Sequence, residues 1–136
     1  MAFELSIRVY WEDTDAGGIV FYANYLKFFE RARTEWLRSL GLSQHALRQD
    51  TGGMFVVSET AIRYLQPAVL DDVLHVSAHL ESAGAASLTI AQDARCARRD
   101  AVLAAGTIRI GWVDAATLRP ARIPDTLLHA LRATPP

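Results

Sequence analysis

Residues 23–40 read ANYLKFFERARTEWLRSL, and this stretch of the sequence decides the fold. Apolar side chains recur in it every three or four residues, as on one face of an α-helix. The recurring positions are Leu26, Phe29, Ala32 or Arg33, Trp36, Leu37 and Leu40, and the face is widened by Tyr25 and Phe28. Gly41 supplies a C-terminal stop, so we predict a helix of about five turns over Ala23–Leu40.

Period-two alternation of apolar and polar residues predicts β-strands on both sides of this helix. One strand is predicted before the helix, over Phe3–Tyr10. Four more are predicted after it, and they cover Met54–Leu65, Val73–Ser82, Ser87–Ala97 and Ala101–Val113. Two short helices are also predicted, one from a Ser43 cap to Gln49 and one over Asp125–Ala133, which Pro135 and Pro136 would end.

The order of one strand, a long helix and four strands predicts an α+β fold with its helices on one face of an antiparallel sheet. A flat sheet cannot cover one long apolar helix, so a strongly twisted sheet must curl around it. We therefore predict a hotdog fold, a curled five-stranded sheet wrapped around one long central helix, as a single domain over residues 1–136. The open edges of such a sheet predict pairing across a two-fold axis, and hence a homodimer.

Composition limits the classes of function. The 136 residues are 51% hydrophobic and 21% charged, which predicts a folded chain with one core. The chain has 14 basic and 15 acidic residues, so its net charge is -1. Because there is no overall positive field, no nucleic-acid partner is expected. The single Cys96 predicts a passive thiol in a reducing compartment, and the N-terminus lacks a signal-peptide pattern. The histidines share no spacing for a metal site.

The sequence becomes specific at residues 10–37, YWEDTDAGGIVFYANYLKFFERARTEWL. This segment resembles the 4-hydroxybenzoyl-CoA thioesterase family, and most closely its bacterial branch of small acyl-CoA thioesterases associated with the Tol-Pal envelope system. The matching residues are Asp13, Thr14, Asp15, Gly18, Val20, Tyr22, Asn24, Tyr25, Phe28 and Glu30 to Arg33. Residues 62–68 and the pair Asp71 and Asp72 resemble the family's second strand and its turn. One departure is Tyr22, where some close relatives carry a histidine.

The resemblance implies hydrolysis of an acyl-CoA thioester, with Asp15 at the position of the family's catalytic aspartate. In the family the backbone N–H at the position of Tyr22 is the oxyanion donor, and Gly18 lies in the same loop. A carboxylate on a loop before a helix suits this role, because the unpaired N–H groups at a helix N-terminus polarise a carbonyl oxygen. Asp15 either attacks the thioester or activates water, and neither route requires a metal or a cofactor. Asp13 is expected to have a turn role instead.

Candidate substrate contacts come from the same loop, the helix and the basic residues. Gly17 and Gly18 allow a close approach of the backbone to a ligand. Tyr25 is expected to be a core or rim aromatic residue with substrate contact. Arginine suits phosphate oxygens, so the densest basic cluster predicts contacts to the phosphates of CoA. The candidates are Arg95, Arg98 and Arg99, with Arg63 next, although a solvated hairpin tip explains the cluster equally well.

Two other classes of function stay open at this stage. One is a non-catalytic acyl-CoA binder or scaffold at the envelope. The other is a different hotdog activity such as an acyl-CoA hydratase, which uses a histidine together with an acid on the helix, and Tyr22–Leu40 contains no histidine. The family commonly forms tetramers, so a homotetramer is expected. A cytoplasmic location and membrane-bound or envelope partners are expected as well, whereas the sequence gives no preference for an acyl chain. The charged residues Glu30, Arg31 and Arg33 are expected on the helix surface.

Overall fold

The computed structural model describes residues 2–133, and within them one antiparallel sheet packs against α-helices. The strands are β1 (Phe3–Arg8), β2 (Gly53–Tyr64), β3 (Val73–Ala83), β4 (Ser87–Cys96) and β5 (Ala101–Asp114). The helices are α1 (Asn24–Ser39), α2 (Gln44–Thr51) and α3 (Asp125–Arg132). Every predicted strand and helix is therefore present, while Pro135 and Pro136 lie outside the described residues.

Helix α1 packs its apolar face against the sheet. Its buried residues are Tyr25, Phe28, Phe29, Ala32, Trp36 and Leu37. The prediction that Leu26 belongs to this face was wrong, because Leu26 follows Tyr25 by about 100° around the helix and remains 46% exposed. The helix ends as predicted at Gly41, which adopts φ +79° while the Leu42 N–H donates to the Leu37 carbonyl at 2.9 Å.

The strands lie in the order β1-β3-β4-β5-β2, and each pairs antiparallel with its neighbours. Strands β2 and β3 follow one another in the chain but are not neighbours, so residues 65–72 carry the chain across the sheet. The core lies between α1 and the sheet, and the apolar side of α3 completes it with Leu127, Leu128 and Leu131. This arrangement confirms the predicted α+β hotdog fold.

The first strand is shorter than predicted. It ends at Arg8 rather than Tyr10, because Trp11–Asp13 form a 3₁₀ turn and the Tyr10 N–H donates to the Asp13 carboxylate at 2.8 Å. The ends of the other elements differ from the predicted ones by two residues or fewer. Among the helices of residues 2–133, none combines the length and apolar character needed to cross a bilayer.

Candidate active site

A small hairpin lies between β1 and α1 and contains the first of the residues that matched the family motif, from Asp13 to Val20. Main-chain hydrogen bonds pair its two arms, from the Phe21 N–H to the Asp13 carbonyl at 2.9 Å and from the Asp15 N–H to the Ile19 carbonyl at 2.8 Å. Thr14 and Val20 form an antiparallel bridge between these bonds. The Asn24 side chain donates to the Asp13 carbonyl at 2.9 Å, so the hairpin is attached to the first turn of α1.

Asp15 lies at the tip of this hairpin, and the two glycines after it set the shape of the tip. Its Oδ1 accepts a hydrogen bond from the Gly17 N–H at 2.8 Å. A Cβ at Gly17 would stand 3.1 Å from that same oxygen and would crowd the carboxylate. Gly18 closes the turn with φ +82°, a left-handed conformation that glycine adopts without steric cost. The carboxylate of Asp15 is thus exposed and fixed by the main chain.

Tyr22 follows the hairpin and precedes α1. Its carbonyl accepts the Tyr25 N–H at 3.4 Å, as expected for a group at the start of a helix. Its own N–H donates to no acceptor within residues 2–133. Unpaired N–H groups at a helix N-terminus carry partial positive charge and can bind a carbonyl oxygen or an oxyanion. Tyr22 as a whole is 63% exposed and lies at the surface of the protein.

An apolar cleft of about 300 Å³ opens beside this N-terminus. Its lining includes Ile19, Val20, Tyr22, Tyr25, Tyr64 and Pro67. The hairpin, the first turn of α1 and the end of β2 therefore meet at one cleft. Apolar residues of this lining are strongly exposed, among them Ile19 at 39% and Leu65 at 52%.

Two tyrosines form the floor of the cleft. Tyr25 is 3% exposed and its ring lies 5.7 Å from the ring of Tyr64. Burial, and next the neighbouring Tyr64, raise the pKa of Tyr25 to about 12, so its hydroxyl stays neutral at physiological pH. The Tyr64 hydroxyl donates to the Tyr22 carbonyl at 3.2 Å and orients the peptide group at the start of α1. The sequence predictions had not included Tyr64, although it lies within the family-like residues 62–68.

Three of the four predicted phosphate-binding arginines lie in and beside the turn between β4 and β5, and each of these three has a partner within the chain. Arg95 pairs with Asp100 at 2.9 Å. Arg98 pairs with Asp72 at 3.0 Å, and its side chain is 67% exposed. Arg99 donates to the Pro67 carbonyl at 2.7 Å and lies 3.8 Å from Asp72. Arg63 is exposed on β2, outside this cluster. It forms no ion pair with an acidic residue within residues 2–133.

A second cavity of about 210 Å³ lies between α1 and β2. Arg33 lines it and donates to the Gln92 side chain at 2.9 Å, while Gln92 donates to the Phe29 carbonyl. Burial lowers the pKa of Arg33. The expectation that Arg33 is a helix-surface charge was therefore wrong, because the curled sheet covers this side of the helix. Glu30 and Arg31 are exposed as expected.

Comparison with known proteins agrees with this geometry. The model of the thioesterase-like superfamily matches residues 9–131, which include the hairpin, α1 and all the strands after it. The chain belongs to the thioesterase-like superfamily, and the resemblance noted in the sequence is confirmed.

The individual relatives carry the names of thioesterases. An acyl-CoA thioesterase YbgC of Haemophilus influenzae is 41% identical over 128 residues, 94% of this chain and 93% of the relative. An acyl-CoA thioester hydrolase YbgC of Escherichia coli O6:H1 is 37% identical, over 93% and 92% of the two chains. The crystal structure of a probable thioesterase from Bartonella henselae superposes with a TM-score of 0.83 at 29% identity, covering 91% of this chain and all of that one. The predicted class, a thioester-hydrolysing enzyme, is confirmed.

Proposed function

We propose that this chain hydrolyses an acyl-CoA thioester to a free acid and CoA. The observation that carries the proposal is an apolar cleft lined both by Tyr22, whose N–H is unpaired within residues 2–133, and by the hairpin that holds the carboxylate of Asp15. The hairpin reaches the cleft through Ile19 and Val20. The names of the relatives support acyl-CoA as the substrate class.

In this proposal the thioester carbonyl lies at the start of α1. Its oxygen accepts a hydrogen bond from the Tyr22 N–H, which stabilises the negative charge that develops there. Gly18 and Gly17 keep the loop short enough for the substrate to approach the backbone, and Tyr25 contacts the substrate from the floor of the cleft.

Asp15 then acts in one of two ways. As a nucleophile, it attacks the carbonyl carbon, the CoA thiolate leaves, and water hydrolyses the resulting mixed anhydride. As a general base, it takes a proton from a water molecule that attacks the same carbon, and the thiolate leaves from the tetrahedral intermediate. Both routes end in a free acid and a free thiol, and both use the same carboxylate.

We propose further that CoA lies with its phosphates near the turn between β4 and β5. The exposed guanidinium groups of Arg95 and Arg98 are the candidates there, with Arg63 as an additional one. Arg99 is less exposed, at 34% for its side chain.

The open sheet edges and the resemblance to the Tol-Pal-associated branch support a proposal about assembly and partners, and the single Cys96 supports one about location. We propose a homodimer that pairs again into a homotetramer, in the cytoplasm and with envelope partners. Cell fractionation, followed by cross-linking in intact cells, tests the location and the partners.

A panel of acyl-CoA substrates with short, long and aromatic acyl groups tests the function itself. We expect free thiol and free acid to appear in equal amounts with at least one substrate. Loss of the substrate without release of thiol would indicate a hydratase instead. Binding of acyl-CoA with no turnover anywhere in the panel would indicate a binder or scaffold.

A further inference from the structure

Asp72 is a buried carboxylate that the proposed chemistry does not use. Its side chain is only 3% exposed. Burial removes the water that would hydrate a charged carboxylate, which costs free energy unless partners replace that water. Its Oδ1 lies 3.0 Å from Arg98, and its Oδ2 accepts the Val69 N–H at 3.0 Å and lies 3.8 Å from Arg99. An ion pair at a buried site contributes little net stability compared with apolar packing, so stability alone does not account for this pair.

The contacts of Asp72 and Arg99 converge on residues 67–69, and Pro67 of this segment lines the cleft. Arg99 donates to the Pro67 carbonyl at 2.7 Å, and Asp72 accepts from Val69. Both ends of this three-residue segment are therefore bound by a charged side chain. Hydrogen bonds to charged groups are stronger and more directional than those between neutral groups.

The opposite side of the same segment is bound to the hairpin that carries Asp15. The Val20 N–H donates to the Ala68 carbonyl at 2.9 Å, and Ile19 forms an antiparallel bridge with Val69. Ile19 in turn accepts the N–H of Asp15 at 2.8 Å. A continuous set of hydrogen bonds thus runs from the Asp72 and Arg99 pair, through residues 67–69, to the main chain of Asp15.

We infer that Asp72 and Arg99 are positioning residues for the hydrolysis. They hold residues 67–69 against the hairpin, and this fixes the direction in which the Asp15 carboxylate faces the cleft. The inference rests on the proposed role of Asp15. It also gives Arg99 a different task from the exposed Arg98, whose predicted partner is phosphate.

The variants Asp72→Asn and Arg99→Ala test this role through kcat and KM. A displaced carboxylate slows the chemical step, so kcat should fall by between about tenfold and a hundredfold. KM for acyl-CoA should stay within about twofold in Arg99→Ala, because Arg95 and Arg98 are left in place with their partners. Arg99→Lys keeps the positive charge and a donor, and it should recover part of the lost kcat.

An NMR measurement separates positioning from a loss of folded protein. The Gly17 amide donates to Asp15 Oδ1 and therefore reports on the carboxylate. Its proton resonance should shift in folded Arg99→Ala and return towards the wild-type position in Arg99→Lys. If Asp72→Asn fails to fold, the two Arg99 variants still decide the question.

The matched control is Arg122→Ala, since Arg122 lies 3.6 Å from Asp125 in an exposed Arg–Asp pair away from the cleft. It should leave kcat, KM and the Gly17 resonance unchanged. The inference is overturned if folded Arg99→Ala keeps its kcat, if only its KM for acyl-CoA rises, or if kcat falls while the Gly17 resonance stays in place. A fully active Asp15→Asn variant would contradict the proposed function, whereas a fully active Arg99→Ala beside an inactive Asp15→Asn would contradict this inference alone.

Discussion

Asp15 combines a structural and a chemical feature in one side chain. One of its oxygens closes the turn by accepting the Gly17 N–H, which is the ordinary role of an aspartate in a turn. The other oxygen accepts no hydrogen bond within residues 2–133 and is available to a thioester or a water molecule. Asp13 differs, because its carboxylate is bound to the Tyr10 N–H and its carbonyl to Phe21 and Asn24.

The change Asp15→Asn should abolish most turnover while the fold is retained. An amide has nearly the shape of the carboxylate but is neither a useful base nor a nucleophile, so kcat should fall by a factor on the order of 100 or more. Steady-state kinetics on the best acyl-CoA, with circular dichroism as a check of folding, measure this effect.

Asp13→Asn is the matched comparison and should have the milder effect. A variant Asp15→Asn that keeps more than about a tenth of the wild-type kcat would contradict the role of Asp15. If the two variants rank in the opposite order, the catalytic carboxylate is Asp13.

The proposed phosphate role of Arg95 predicts a change in binding rather than in chemistry. Phosphates of CoA lie far from the thioester carbon, and Arg95 pairs with Asp100 rather than with Asp72. Arg95→Ala should therefore raise KM for acyl-CoA and leave kcat nearly unchanged. KM should also rise between low and physiological ionic strength, since salt screens exposed charge pairs. An acyl-pantetheine without the nucleotide should show neither effect. Equal responses of the two substrates would assign the phosphates to other residues.

At the scale of elements, the pairing of β2 with β5 determines where Tyr64 and residues 65–69 lie relative to the hairpin. Gly106 of β5 pairs with Ile62 of β2, and a Cβ at Gly106 would overlap the carbonyl oxygen of Ala61. Close approach of two backbones therefore requires glycine at this point of the sheet.

The substitution Gly106→Ala should destabilise the protein by about 1–3 kcal/mol, because the strands must separate or shift to admit the methyl group. Gly111→Ala in the same strand is the control, since the nearest heavy atom to its added Cβ is 3.9 Å away. Urea unfolding of both variants measures the difference in the free energy of unfolding. Equal stabilities would show that the pairing of β2 with β5 tolerates the extra atom.

At the scale of the whole molecule, the sheet ends in two edge strands, β1 and β2. The side chains of β2 from Val57 to Ala61 are exposed, and Val57 is 54% exposed. Unpaired edges and exposed apolar side chains favour association with a second chain. The cleft lies beside the end of this strand, so a partner on the β2 edge would lie close to the proposed site.

Light scattering in dilute solution should give a mass at least twice the 15.0 kDa of one chain. The reason is that pairing of edges across a two-fold axis satisfies their open hydrogen-bonding groups. Activity should decline at concentrations where the oligomer dissociates. A stable and fully active species of 15.0 kDa would contradict both the pairing and a site between subunits.

The amino-acid sequence by itself determined the elements of this protein and its family. Helix periodicity and Gly41 gave α1 to within one residue at each end, because burial on one face of a helix imposes a local repeat. The motif over residues 10–37 led to the thioesterase-like superfamily and singled out the loop of Asp15, because that loop is built from neighbouring residues.

Only the tertiary structure decided which distant residues meet. The alternation of apolar and polar residues predicts a strand but not which other strand pairs with it. In the sheet β2 lies next to β5 rather than next to β3. The sequence predicts Arg33 as a surface charge, whereas in the folded chain the curled sheet covers it and it donates to Gln92. Asp72 and Arg99 are 27 positions apart in the chain. The contacts of Arg99 with Asp72 and with the Pro67 carbonyl arise only when β3 and β4 pair. Contacts of this kind depend on the path of the whole chain, which local sequence patterns do not encode.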